Sequence, residues 1–299
     1  MANEATGTVS GRACEQSDGQ AMATNDAKSA RDVFFVSDRT GITSETLGHS
    51  LLSQFEDLEF RRFTRPFVDS IEKALVLAEE INRVAEETGM RPIVFCTLVT
   101  DAVRDTLAGS RGIFFDFFGE FIAPLEDELN AHSTHKVGRS HGMTDQNQYN
   151  TRIDAVNFAM TSDDGTNPQT YSQADIVLIG VSRSGKTPTC VYLALHYGMY
   201  AANYPLTAED LNAGALPQAL HEHRDRLFGL TIDPRRLQAI RSRRRPGSPY
   251  ASPRQCEREV RQVEALYRRE NIPNLSTTSM SIEEIAATIL HERHLQRRA

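Results

Sequence analysis

One run of eight residues constrains this chain more than any other: Gly180-Val181-Ser182-Arg183-Ser184-Gly185-Lys186-Thr187. It fits GxxxxGK[ST] without a mismatch, directly follows an apolar strand over 174–179, and opens a helical interval over 189–197. Glycines let such a loop curl until its N–H groups point inward at phosphate oxygens. The lysine adds a mobile positive charge, the terminal hydroxyl can ligate Mg²⁺, and the following helix contributes its positive N-terminal end. Pro188 falls in the first turn of that helix, where a missing N–H does no harm. The alternative is a glycine-rich turn that merely precedes a helix; the strand before and the helix after favour a phosphate loop, with Gly180 to Thr187 as nucleotide-binding residues.

The rest of the chain supplies an α/β frame for such a loop. Residues 1–30 are small, polar and aperiodic, and read as a disordered extension. Order begins with the buried strand Asp32-Val33-Phe34-Phe35-Val36, the turn Ser37-Asp38-Arg39-Thr40-Gly41, and a helix carrying Leu47, Leu51, Leu52 and Phe55. A helix over 70–88 ending at Gly89, a strand over 92–99, a helix over 101–107 and a strand over 113–117 continue the alternation. From 132 to 173 the pattern weakens into a polar connection with one helical interval at 151–159. Downstream come a strand at 227–232, a helix from Pro234 through Ile240, and closing helices over 252–270 and 281–295. Ser281 and Glu284 mark the last with a near-capping-box start. Strands alternating with helices imply mostly parallel sheets. The expected organisation is α/β: an extension over 1–30, a βα-alternating N-terminal domain over 31–165, and a C-terminal phosphate-loop, kinase-like domain over 166–299.

Composition narrows the function. With 299 residues, 39% hydrophobic and 24% charged, the chain has ample core for one large or two smaller domains. Lys+Arg is 33 against Asp+Glu 40, a net charge of −7, which argues against a nucleic-acid binder. No apolar run approaches the roughly 18 residues of a membrane span, and no signal peptide is visible, so a cytoplasmic location is expected. The four cysteines (Cys14, Cys96, Cys190, Cys256) are scattered, which disfavours a disulfide scaffold or structural zinc site. The four lysines (Lys28, Lys73, Lys136, Lys186) are outnumbered by 29 arginines, so the lysine inside the loop is informative. Residues 224–299 hold 16 Arg against 9 acids, a basic quarter on an acidic body, as a local anion site would require.

Other candidate residues follow by role. Leu227-Phe228-Gly229-Leu230-Thr231-Ile232-Asp233 has the shape of an apolar strand ending in a Mg²⁺-holding acid; Asp233 could equally cap the helix from Pro234. Arg241, Arg243, Arg244 and Arg245, before Pro246-Gly247-Ser248-Pro249, form either an arginine-bearing lid over a nucleotide or a solvated face. Asp38 and Arg39 sit at the carboxyl end of a strand, where open α/β sheets place ligands. There Asp38 could act as general base and Arg39 as an anion clamp, unless the segment is an ordinary turn. His132, His135 and His141 lack a convincing zinc spacing and read as surface histidines.

Together these segments resemble a known family. Ser37-Asp38-Arg39-Thr40-Gly41-Ile42-Thr43, the loop through Pro188-Thr189, Ala201-Ala202-Asn203-Tyr204-Pro205-Leu206, Gly229-Leu230-Thr231-Ile232-Asp233-Pro234 and Ser279-Met280-Ser281-Ile282-Glu283-Glu284-Ile285-Ala286 are similar to the bacterial regulatory proteins of phosphoenolpyruvate synthase and pyruvate, phosphate dikinase. The similarity spans about residues 31–295. It implies a bifunctional enzyme that phosphorylates a target threonine with ADP as donor, releasing AMP. It also implies removal of that phosphate with inorganic phosphate as acceptor, releasing pyrophosphate. Residues 250–256 and 263–268 look more like the phosphoenolpyruvate-synthase branch, which makes that synthase the expected protein substrate.

In that scheme Lys186 neutralises developing charge, Asp38 takes the threonine proton, and Thr187 with Asp233 positions Mg²⁺. Arg39, Arg241 and Arg244 clamp phosphate. Two rivals remain open from sequence: a kinase of a small metabolite, and a nucleotide-gated binding module without turnover. The dikinase as target, and whether the chain forms a homodimer, are also left open.

Overall fold

A computed structural model describes residues 30–134, 146–296 and 298. The 1–29 part of the expected extension, and His135 and His141, lie outside the described residues. The chain divides into two compact units, Met1–Ser140 and His141–Ala299. Each carries a four-stranded sheet in which all pairings are parallel, as the βα alternation predicts.

The first unit runs β1 (Arg31–Ser37), α1 (Ile42–Leu52), β2 (Phe60–Arg65), α2 (Ile71–Thr88), β3 (Ile93–Thr97), α3 (Asp101–Ala108), β4 (Ile113–Asp116) and α4 (Phe117–Leu129). Its strand order is β2-β1-β3-β4. The two central strands are the apolar runs recognised in the sequence. Phe34 and Val36 face α2 and α3, while Val33 and Phe35 pack with Leu52 and Phe117 on the other side. Alternate residues of a strand point to opposite faces, so a strand covered on both sides must be apolar throughout.

β2 was not expected from sequence. Its segment, Phe-Arg-Arg-Phe-Thr-Arg, is an edge strand on which Arg61 and Arg62 are exposed, so it lacks a continuous apolar signal. Phe117 was assigned to the preceding strand, but β4 stops at Asp116, whose carboxylate accepts from Phe118 N at 3.1 Å and starts α4.

The second unit runs α5 (Gln146–Thr161), β5 (Ile176–Gly180), α6 (Lys186–Tyr197), β6 (Ala201–Pro205), α7 (Ala208–Ala213), β7 (Leu227–Thr231), α8 (Pro234–Arg244), α9 (Pro253–Glu270), β8 (Asn274–Ser276) and α10 (Ile282–Glu292). Its strand order is β6-β5-β7-β8. Val177 and Ile179 face a core with Leu237, Val260 and Val263; Ile176 and Leu178 face one with Leu193, Ile285 and Ile289. The expected boundary at 165/166 moves towards the N-terminus. α5 belongs to this second unit because Ala155 and Ala159 are buried in the same cluster as Leu193 and Ala194 of α6. The capping box of α10 is complete: Glu284 N donates to Ser281 Oγ and Ser281 N to the Glu284 carboxylate. Among the described residues no helix is long and apolar enough to cross a membrane.

Candidate active site

The glycine-rich loop leaves the buried end of β5 and enters α6. Gly180 must be glycine on steric grounds: a Cβ there would meet the Leu230 carbonyl oxygen of the neighbouring strand at 2.4 Å. Gly185 holds φ +94° as the residue that caps α6, a conformation that side chains disfavour. Below the loop, the Tyr267 hydroxyl on α9 donates to Ile179 O at 2.8 Å and approaches Leu230 O at 3.3 Å, tying the ends of β5 and β7 together.

Three carbonyls of the loop are engaged by side chains, one from within it and two from outside. Lys186 Nζ donates to Val181 O at 3.0 Å, Arg241 Nη2 to Ser182 O at 3.0 Å, and Thr277 Oγ1 to Ser184 O at 3.1 Å. With its carbonyls held, the loop offers amides, and the first N–H groups of α6 have no acceptor within their own helix. The Ser184 hydroxyl is buried there without a partner. This is the arrangement an oxyanion needs.

Lys186 is 5% exposed, and burial lowers its amine to about 8, against the opposing pull of Asp164 and Asp163. Those two acids come from the single turn Asp163–Gly165, which follows α5. Thr187 donates its hydroxyl to Asp163 Oδ1 at 2.9 Å, and Asn203 of β6 donates its amide to the same oxygen. Asp164, with φ 50°, lines a cavity of about 240 Å³ together with Ser182, Arg183, Gly185, Lys186 and Thr187. Asn203 is fully buried and its Oδ1 has no partner.

The other expected residues fall elsewhere. Asp233 is the N-cap of α8: its Oδ1 accepts from Arg235 N at 2.9 Å and Arg236 N at 3.0 Å, and it does not line the loop cavity. Of the two sequence readings for it, the structure displays the cap.

The expectation of Arg241 as a phosphate clamp is corrected. Its side chain is fully buried, pairs with Glu259 at 2.6 Å, and donates to the Ser182 and Tyr250 carbonyls. Its donors are spent on protein, so it braces the loop from behind. Arg244, in the last turn of α8, is exposed, as are Arg183 and Arg39.

On the first unit, Asp38 is 7% exposed, its Oδ2 accepts from Val99 N at 3.1 Å, and burial raises its carboxyl above the ordinary value. β1 and β3 are adjacent there, so the turn sits at the carboxyl ends of the central strands.

Sequence reasoning missed Asp163, Asp164 and Asn203. Asp163-Asp164-Gly165 lay in a polar stretch that reads as a connection. Asn203 gave one signal: a polar amide in the middle of the small-residue run Ala-Ala-Asn-Tyr-Pro.

The fold and this site define a parallel α/β protein with a strand–glycine loop–helix unit, a lysine and a hydroxyl–carboxylate pair, the equipment of a kinase-like transferase. The chain belongs to the kinase/pyrophosphorylase family, whose model matches residues 33–290. It is 58% identical over 268 residues to a protein of Alkalilimnicola ehrlichii, covering 90% of this chain and 97% of the relative. Proteins of Pseudomonas savastanoi pv. phaseolicola and Pseudomonas fluorescens are each 54% identical, covering 90% of this chain and 98% of the relative. All three carry the name "Putative phosphoenolpyruvate synthase regulatory protein".

Proposed function

We propose that this chain is a bifunctional regulator of phosphoenolpyruvate synthase. In one direction it moves the β-phosphoryl group of ADP onto a threonine hydroxyl of the synthase, releasing AMP and inactivating the target. In the other, inorganic phosphate attacks the phosphothreonine phosphorus, the threonine oxygen leaves and regains a proton, and pyrophosphate is released. The relatives' name supports the target, and the family description supports both a kinase and a pyrophosphate-forming direction.

The single observation that carries the reading is the glycine loop with three of its carbonyls engaged by side chains and its own lysine buried. A cradle of amides plus Lys186 recognises a terminal phosphate whether it belongs to ADP or is free. One site therefore serves both directions, holding the β-phosphate of ADP in one and the attacking phosphate in the other.

Lys186 must leave Val181 O to meet a phosphate oxygen, where its charge offsets charge developing on the transferred group. Thr187 Oγ1 and the Asp163 carboxylate have the donor chemistry for Mg²⁺, and their hydrogen bond supports Asp163, rather than the helix-capping Asp233, as the metal-holding acid. Bound Mg²⁺ would neutralise phosphate charge and orient the donor. Arg244 remains the proposed phosphate clamp of this unit. On the first unit, Asp38 keeps its proposed role as a proton acceptor, and Arg39 as its anion-binding neighbour. Cytoplasmic residence accords with such a target.

The test mixes the purified chain with phosphoenolpyruvate synthase and ADP labelled at the β-phosphate. Label on a synthase threonine with loss of synthase activity, reversed by inorganic phosphate with release of pyrophosphate, is the expected result. Turnover of ATP on a small acceptor, with no transfer from ADP, would return the chain to metabolite kinases. Nucleotide binding with no turnover on either acceptor would make it a binding module.

A further inference from the structure

A second cavity, of about 450 Å³, also has Ser182 in its wall. Its walls are Leu206, Thr207 and Ala208, where β6 turns into α7, and Tyr250 with Pro249, after the arginine-rich end of α8. Ser182 lines both this cavity and the one at the glycine loop, so the two share one residue of the loop. The volume lies within the range of small-ligand sites.

Tyr250 is held in a defined pose. Its hydroxyl donates to Ser182 Oγ at 2.9 Å, and the Arg241 guanidinium sits 4.1 Å from its ring centroid. The cation covers one ring face, so a stacking ligand ring would have to use the other. Arg241 and Glu259 form an ion pair with each other, so the charged groups lining the cavity are already neutralised. Such a pocket suits a flat, uncharged, stackable group, not a second phosphate.

We propose that this cavity holds the base and sugar of the nucleoside diphosphate whose terminal phosphate occupies the glycine loop, with Tyr250 as the stacking platform. The proposal rests on the nucleotide reading above. It assigns the two ends of the donor to two cavities that share Ser182. The base end matters only for a nucleotide, whereas inorganic phosphate and pyrophosphate need the loop alone. Base–aromatic stacking is sequence-tolerant, so Tyr250 supplies affinity and not nucleoside preference.

The experiment compares binding of ADP and of pyrophosphate to the full chain by calorimetry. Tyr250→Ala and, independently, Ala208→Phe are expected to weaken ADP at least tenfold while leaving pyrophosphate within about threefold. Tyr250→Phe keeps the ring and loses only the bond to Ser182, so ADP affinity should stay near that of the parent. Ala208→Phe adds bulk to the cavity at a lining residue outside the loop, and so separates occupancy from any disturbance of the loop through Ser182.

ADP affinity unchanged in both Tyr250→Ala and Ala208→Phe would overturn the assignment. So would an effect confined to KM for the protein substrate, which would make the cavity a peptide site. Equal loss of ADP and pyrophosphate in both variants would also overturn it, by showing a general effect on the loop. If the unaltered chain binds neither ligand, the nucleotide reading itself fails, an outcome distinct from all of these.

Discussion

Thr187 and Asp163 meet through a hydrogen bond of 2.9 Å although 24 residues separate them in the chain. The contact exists because the turn after α5 is pinned against β6: Asn203 N donates to Ser162 O at 3.2 Å, and the Asn203 side chain reaches Asp163. A hydroxyl at the end of the glycine loop and a carboxylate from a distant turn are thus paired beside the cavity that Thr187 lines, the pair proposed above to hold Mg²⁺.

Asp163→Ala should therefore lower turnover by roughly a hundredfold or more, the scale seen when one preorganised electrostatic partner is removed from a transferring group. Binding of ADP without Mg²⁺ should change little, and the Mg²⁺ concentration for half-maximal rate should rise. Asp233→Asn keeps a capping oxygen on α8 and should leave that Mg²⁺ dependence unchanged. Titrating rate against Mg²⁺ in the two variants checks the assignment; a shift in Asp233→Asn alone would reverse it.

The frame of both units was legible because parallel strands covered on both faces must be continuous apolar runs, and β1, β3, β5 and β7 are such runs. β2 escaped because an edge strand needs no such run, and β6 because its small residues carry little hydrophobic signal. In the site, Gly180 to Thr187 were legible because the loop's chemistry is local in sequence. Asp163 and Asn203 were not, since only tertiary packing brings them to Thr187. Arg241 was misread for a related reason. In sequence it sits in an arginine cluster, but Glu259 and the Ser182 carbonyl, which draw it inward, lie 18 and 59 residues away.

That inward arginine sets a stability prediction. Removing one partner of a buried pair strands the other, at a cost of about 3–5 kcal/mol. Arg241→Met should destabilise the chain on that scale in urea unfolding and also weaken ADP, because Ser182 O loses its brace. Arg241→Met combined with Glu259→Met should recover part of the stability, since neither charge is then left alone. A double variant as unstable as the sum of the singles would mean that the pair is not coupled.

Asp38 is a buried carboxylate whose folded pKa is raised, so its charged form is disfavoured by the fold. Above the raised value the charge is present in folded and unfolded chains alike, and the penalty is complete. As pH falls through the raised value towards 3.8, the folded chain takes up the proton first and the penalty disappears. Asp38→Asn should therefore be at least as stable as the parent at pH 7, with the advantage gone below about pH 4. If Asp38 accepts the threonine proton, the same variant loses turnover without losing ADP affinity. Equal loss of both would remove it from that role.

Lys186 gives the opposite pH signature. Its folded amine lies at about 8 against an ordinary 10.5. At pH 7 it is charged in both states, and burial of the charge opposes folding by up to ~3 kcal/mol. Between about 8 and 10.5 the folded chain gives up its proton while the unfolded chain keeps it, so this penalty fades as pH rises. Lys186→Met should then abolish transfer in both directions yet be more stable than the parent at pH 7. That stability gain should shrink steadily in urea titrations at pH 7, 8.5 and 10. ADP affinity of the parent should fall above pH 8 by up to tenfold per unit, because binding must restore the proton. A gain that is constant with pH would show that the amine is not the titrating group, and loss of only one direction would show that the two reactions do not share the loop.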